Sequence, residues 1–162
     1  MTAGRAGVVV LLCAVAACLA ATCAQASKGI QYGIQDDAWL QYGPSPGTLN
    51  QRLATIKRLG VPLVRFTLHW NQIAVRRPKQ PTSPTDRAYD WRLPDKVMRG
   101  LRRYGFTPVV TLVGTPGWAN SGRAPNFAPP HPRDFREFAI AVARRYPWVH
   151  YWLIWNEPNK RI

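Results

Sequence analysis

The sequence predicts an α/β fold, a parallel sheet whose strands are joined by helices. Three observations carry that expectation. Apolar runs of strand length alternate with stretches of helical period in the order βαβαβαβ. The connections after the second and third strands are long, whereas those after the first two helices are one or two residues. Side chains suited to chemistry gather at the ends of the strands, where α/β enzymes build their sites.

Each element has a local cause. Residues 29–35 form the first strand, ended by Asp36 and Asp37, and Pro44, Pro46 and Gly47 mark a turn. Thr48 is an N-cap, and Gln51 three residues later completes a capping box. Leu49, Leu53, Ile56 and Leu59 follow at helical spacing, and Gly60 stops the helix. Residues 63–68 are the second strand, followed by a proline-rich loop over 71–88. The second helix begins near Leu93 with Pro94 in its first turn, carries Val97, Leu101 and Tyr104 on one face, and ends at Gly105. Residues 108–113 are near-continuously apolar and read as a third strand buried on both faces. A loop over 114–130 leads to a third helix, with Pro132 at its start, Asp134 and Glu137 in its first turns and Phe135, Phe138, Ala139 and Val142 as its core stripe. Pro147 ends it, and residues 149–155 are the fourth strand.

The N-terminal segment reads differently. Arg5, the uncharged apolar run Val8–Ala21 and the small-x-small triplet Ala24-Gln25-Ala26 have the form of a secretory signal peptide over 1–26, leaving residues 27–162 as the exported domain. Lipid attachment at Cys18 is an alternative, and a retained anchor a third, although a span needs about 20 uninterrupted apolar residues. All three cysteines (Cys13, Cys18, Cys23) lie in this segment. After cleavage the domain has no disulfide, no thiolate nucleophile and no membrane association.

The 162 residues carry 22 basic and 8 acidic side chains, a net charge of +14. The charge is scattered, with pairs such as Arg102-Arg103 and Arg144-Arg145 near helix ends, where cations complement the helix dipole. No nucleic-acid signature accompanies it, so no specific nucleic-acid partner is expected, only salt-sensitive attraction to anionic polymers. His69, His131 and His150 form no metal triad, and no Gly-rich phosphate loop follows the first strand, so neither metal nor cofactor is expected.

The strand ends supply Asp36 and Asp37, then Arg65, His69, Trp70 and Asn71, then Thr115, Trp118 and Asn120, and finally Trp155, Asn156 and Glu157. Rings beside carboxylates and amides suit a sugar, which offers C–H faces for stacking and hydroxyls needing donors and acceptors.

The segment Trp155-Asn156-Glu157-Pro158-Asn159, ending the fourth apolar strand, resembles the Asn-Glu signature of retaining glycoside hydrolases of clan A, as in family 39 and the cellulase-like family 5. Leu63-Val64-Arg65-Phe66 with Trp70 beyond it resembles the clan's second strand, and Gly114-Thr115-Pro116-Gly117-Trp118-Ala119 the third-strand loop of family 39-like members. Family 5 members often carry a His near the end of strand three, where this chain has Val113-Gly114. The resemblance implies the N-terminal half of a (β/α)8 TIM barrel, strands one to four. It implies Glu157 as general acid/base and Asn156 as the ligand of a substrate 2-hydroxyl. Arg65, Trp118, Trp70, His69 and Asp36 are the further substrate-binding candidates, each with a structural alternative: ion pairing for Arg65, packing for the tryptophans, backbone satisfaction for His69 and turn capping for Asp36. Between Trp155 and Pro158, Glu157 is expected to be partly desolvated, which would raise its pKa.

A complete barrel takes about 250 residues, and a retaining reaction needs two carboxylates about 5 to 5.5 Å apart. The resemblance places the second on strand seven. Residues 27–162 hold only two glutamates, Glu137 and Glu157, and Glu137 falls inside the third helix. The expectation is therefore a truncated, secreted fragment of a polysaccharide- or oligosaccharide-hydrolysing enzyme that is inactive alone and self-associates through open sheet edges. Two alternatives are a non-catalytic carbohydrate-binding half-barrel, using Trp70 and Trp118, and a surface interaction protein whose basic face takes acidic polymers.

Overall fold

A computed structural model of the chain describes residues 29–42 and 48–158. The leader, the 44–47 turn and Asn159 lie outside the described residues. Two units divide the chain, Met1–Ile30 and Gln31–Ile162, and the second carries the elements that follow. Among the described residues no helix is long and apolar enough to cross a membrane.

Four strands make one parallel sheet in sequential order: β1 (Gly33–Gln35), β2 (Leu63–His69), β3 (Thr107–Val113) and β4 (Tyr151–Ile154). The helices between them are α1 (Leu49–Arg58), α2 (Arg92–Arg103) and α3 (Pro132–Arg145). This is the expected α/β alternation.

The caps explain the boundaries. Thr48 Oγ1 accepts the Gln51 N–H, and Gln51 Oε1 accepts the Thr48 N–H at 2.6 Å, so the capping box forms. Gly60 and Gly105 close α1 and α2 at φ +73° and +67°, a conformation that a Cβ disfavours. Pro132 opens α3, where its missing N–H costs nothing.

Three short turns fall where unbroken loops were expected: a π-helical turn at Ala38–Tyr42, a helical turn at Trp70–Ile73 and a 3-10 turn at Gly117–Ala119. Asp36 caps the first, and the other two are tied by bonds to distant backbone, Asn71 N–H to Gly114 O and Trp118 Nε1 to Ala74 O, that periodicity does not register. β1 is shorter than expected because only residues 33–35 pair with β2, and β4 stops at Ile154 because Trp155 turns to φ +68°. The Trp155 N–H still donates to Leu112 O at 2.9 Å.

The sheet has two unlike faces. Side chains alternate along a strand, and in-register residues of parallel strands share a face. Val64, Phe66 and Leu68 of β2 and Val110 and Leu112 of β3 are buried in one core with Leu53 and Ile56 of α1, Val97, Met98 and Leu101 of α2, and Phe138 and Val142 of α3. The opposite face carries Arg65, Thr67 and His69 beside Val109, Thr111 and Val113. The expectation that β3 is buried on both faces is corrected in part: on this second face Thr111 is buried, but Val109 and Val113 on either side of it are only half-buried.

Candidate functional site

The polar face of the sheet leads, at its carboxyl end, to the residues singled out in the sequence. Arg65 points from β2 across β3. Its Nε donates to Thr111 Oγ1 at 2.9 Å and its Nη2 to Asn156 Oδ1 at 2.8 Å. One guanidinium thus ties β2, β3 and the segment after β4 together. Asn156 is flanked by two residues with left-handed backbone, Trp155 at φ +68° and Glu157 at φ +46°. A non-glycine residue seldom adopts this conformation, and such strain concentrates at functional positions. The reversal turns the Asn156 amide back toward Arg65, while Trp155 meets Phe135 of α3 edge-on at 6.3 Å. Glu157 is exposed, so the expected partial desolvation of its carboxyl is not found among the described residues.

Two residues beyond Arg65, Thr67 is clamped by Asp37. Its N–H and hydroxyl donate to the two carboxylate oxygens at 2.8 and 2.6 Å, pinning the end of β1 to the middle of β2. His69 completes this row and is half-buried. Burial lowers its pKa below the ordinary histidine value, opposed by the attraction of the Asp37 carboxylate. The imidazole is neutral at pH 7 and available as donor or acceptor.

The remaining candidates lie elsewhere. Asp36 caps the turn behind it, its Oδ1 accepting the Trp39 N–H at 2.8 Å. Trp70 is fully buried, stacked on Phe138 at 5.4 Å and edge-on to Trp118 and Phe135, so it is core and offers no face to a sugar. Trp118 donates from Nε1 to Ala74 O at 2.7 Å and lies under Arg77 at 4.6 Å. The loop and this arginine occupy the ring that was expected to stack on a sugar. At the end of β3, Gly114 adopts φ +81°, and a Cβ there would stand 2.3 Å from Asn71 Oδ1. The Asn71 N–H donates to Gly114 O at 2.8 Å.

The structure thus joins Arg65 to Asn156 beside Glu157, keeps His69 on the same face of β2, and sends Trp70, Trp118 and Asp36 to packing and capping. Sequence reasoning missed Thr111, Thr67 and Asp37 as the supports of this arrangement. The signal for the two threonines was present as polar residues among the apolar ones inside β2 and β3, read across the sheet in register.

Comparison with solved structures bears on the fold. A family 39 glycoside hydrolase from the gut symbiont Bacteroides cellulosilyticus superposes with a TM-score of 0.54 at 17% identity, over 78% of this chain and 24% of that one. The fold is that of the N-terminal half of a TIM barrel. A β-glucosidase from Exiguobacterium marinum is also similar, with a TM-score of 0.45 at 19% identity, over 64% of this chain and 23% of that one. The chain spans about a quarter of the length of these structures. No family model and no curated protein sequence matches it. Among the described residues no group of three or more His, Cys, Asp or Glu side chains stands where it could hold a metal ion.

Proposed function

We propose that the chain is the acid/base half of a secreted retaining glycoside hydrolase acting on polysaccharides or oligosaccharides, exported by its first 26 residues. Glu157 is the general acid/base, and Asn156, Arg65 and His69 position the sugar. The observation that carries this reading is the Arg65 Nη2–Asn156 Oδ1 bond of 2.8 Å. It holds the amide by its oxygen and leaves both Nδ2 hydrogens for a substrate hydroxyl, immediately beside a carboxyl group.

In such a reaction the protonated Glu157 donates to the leaving glycosidic oxygen while a second carboxylate attacks the anomeric carbon. Glu157, now ionised, then takes a proton from the water that releases the sugar. The family resemblance assigns the second carboxylate to strand seven of the longer barrel. Asp36 and Asp37 are poorly placed for that task, since the former caps a turn and the latter is spent on Thr67.

The test is enzymatic. The coding sequence is read through codon 162, and the protein it encodes is assayed on dinitrophenyl and alkyl glycosides. A dinitrophenolate leaves without protonation and an alkoxide does not. Glu157→Ala should therefore lower turnover of the alkyl glycoside about a thousandfold while sparing the first step on the aryl substrate. Azide, a nucleophile that needs no general base, should restore aryl turnover. Equal losses on both substrates with no azide effect would remove Glu157 from the role.

A further inference from the structure

The loop between β2 and α2 carries chemistry that the strand-end site does not use. It is rigidly built. The Tyr89 hydroxyl donates to Pro81 O at 2.5 Å, Trp91 Nε1 to Pro84 O at 2.8 Å, and Arg144 of α3 to Thr82 O at 3.0 Å. The Asp86 carboxylate accepts the Gln80 and Ala88 N–H groups at 2.7 and 2.8 Å, closing the loop on itself.

This scaffold shapes a groove of about 530 Å³ lined by Arg76, Arg77, Lys79 and Arg87 against a single carboxylate, Asp86. The balance inside it is one-sided. Arg77 is committed, paired with Asp134 at 3.2 Å and laid over Trp118. Asp86 is engaged by the loop backbone, and those hydrogen bonds hold its pKa below the ordinary carboxylate value. Among the described residues Arg76 and Arg87 have no ion-pair partner. Both also line the adjoining hollow of about 560 Å³, whose carboxylates Asp90 and Asp95 are taken by Arg92 and Arg145. Exposed cations usually spread apart or pair. Here an ordered loop holds Arg76, Lys79 and Arg87 around one concavity whose single carboxylate, Asp86, attracts Lys79 and leaves the cations in excess.

We propose that this groove binds an acidic polysaccharide through its carboxylates, Arg76 and Arg87 each offering a planar donor fork and Lys79 a point charge. The surroundings favour a polysaccharide over a nucleic acid. Tyr89 and Trp91 are buried and Trp118 is covered by Arg77, so among the described residues none of these three rings beside the groove is free to stack on a base. The groove is walled by loop, not by a helix or ribbon that would enter a duplex. Binding requires no turnover, so the proposal stands apart from the role of Glu157.

The test is affinity electrophoresis of the whole chain through polygalacturonate, through its fully methyl-esterified form, which has the same backbone without the charge, and against duplex DNA. Polygalacturonate should retard the protein at low salt and the ester should not. The variant R76Q/K79Q/R87Q should bind polygalacturonate about tenfold more weakly. K96Q/R103Q/R136Q, which removes the same charge from α2 and α3, should change affinity by less than about threefold. The single exposed substitution Arg87→Glu should weaken binding at least about threefold, so the outcome does not hang on the folding of the triple variant. Equal loss in both triple variants, equal binding of the ester, or DNA binding as tight and as dependent on the groove would each overturn the proposal.

Discussion

Gly100 offers a test of how α1 and α2 pack. It lies buried in the last turns of α2. In an unhindered helix, Gly→Ala stabilises by about 0.5 to 1 kcal/mol, because alanine loses less backbone entropy on folding. Here a Cβ would stand 2.6 Å from Leu53 Cδ1 and 3.5 Å from Leu49 Cδ2. Carbon atoms rest about 3.5 to 4 Å apart, so Leu53 would have to retreat by about 1 Å. Leu53 is 0% exposed and packed in the core, so it has little room to do so. Overpacking of this kind costs about 1 to 3 kcal/mol, and the net effect of Gly100→Ala is a loss of about 1 kcal/mol once the helix gain is subtracted.

The second arm reverses the sign. Leu53→Ala alone removes the opposing methyl and costs about 2 to 5 kcal/mol. In that background the methyl introduced by Gly100→Ala enters vacated space, and the substitution should stabilise by about 1 kcal/mol, a coupling of about 2 kcal/mol. Urea unfolding of the four proteins, followed by circular dichroism, measures both legs of the cycle. If Gly100→Ala stabilises the unmodified chain by the full helix-propensity gain, and by the same amount beside Leu53→Ala, the packing described for α1 against α2 is refuted.

Asp95 of α2 receives Arg145 Nε at 2.8 Å and the Tyr146 hydroxyl at 2.9 Å. Burial works against its charge, but these bonds outweigh it and hold its pKa below the ordinary value. Its contribution is then present above the unfolded pKa of about 3.9 and is lost as pH falls through the lower folded value. Asp95→Asn should cost about 1 to 3 kcal/mol at pH 7 and flatten the melting temperature measured from pH 4 downward. His69, whose folded pKa is lowered by burial, places its own loss at a higher pH. Stability should fall as pH drops below about 6.5, and His69→Gln should abolish that slope between about pH 5 and 7. On β4, Tyr151, Leu153 and Ile154 are exposed at the sheet edge. Sedimentation velocity should show concentration-dependent association that Ile154→Lys reduces, and a monomer at all concentrations would contradict this.

The parts legible in the sequence are those with local causes. The Thr48–Gln51 box, the stops at Gly60 and Gly105 and the Pro132 start each depend on a few adjacent residues, and all are found in place. The parallel order followed from strand–helix alternation, and it holds. The tertiary exceptions were less readable. Trp70 and Trp118 look alike as aromatic residues beyond strand ends, yet one is sealed by Phe138 and the other bonded to Ala74 and covered by Arg77. These partners lie far along the chain, on another helix or loop, and no periodicity announces them. The Ala38–Tyr42 turn escaped for the same reason: it combines the Asp36 cap with the clamp of Asp37 on Thr67, a bond spanning 30 residues.

Arg65 connects fold to chemistry more directly than any motif. It is half-buried, and its hydrogen-bond partners, Thr111 and Asn156, are neutral. A guanidinium removed from water keeps its charge and loses hydration, so neutral acceptors only partly compensate it. Packing alone would be served as well by an apolar side chain at this position on the sheet. The cost is intelligible if a negative group joins the site, and the reaction proposed here requires one, a second carboxylate close to Glu157. The same residue would then orient the Asn156 amide through one nitrogen and offer its charge to the carboxylate through the rest of its fork. On this account Arg65→Lys, which keeps the charge but not the planar fork, should fold as the parent does and lose the Asn156 contact. An NMR shift of the Asn156 side-chain amide would report that loss, and an unchanged amide signal would show that the bond does not orient this residue.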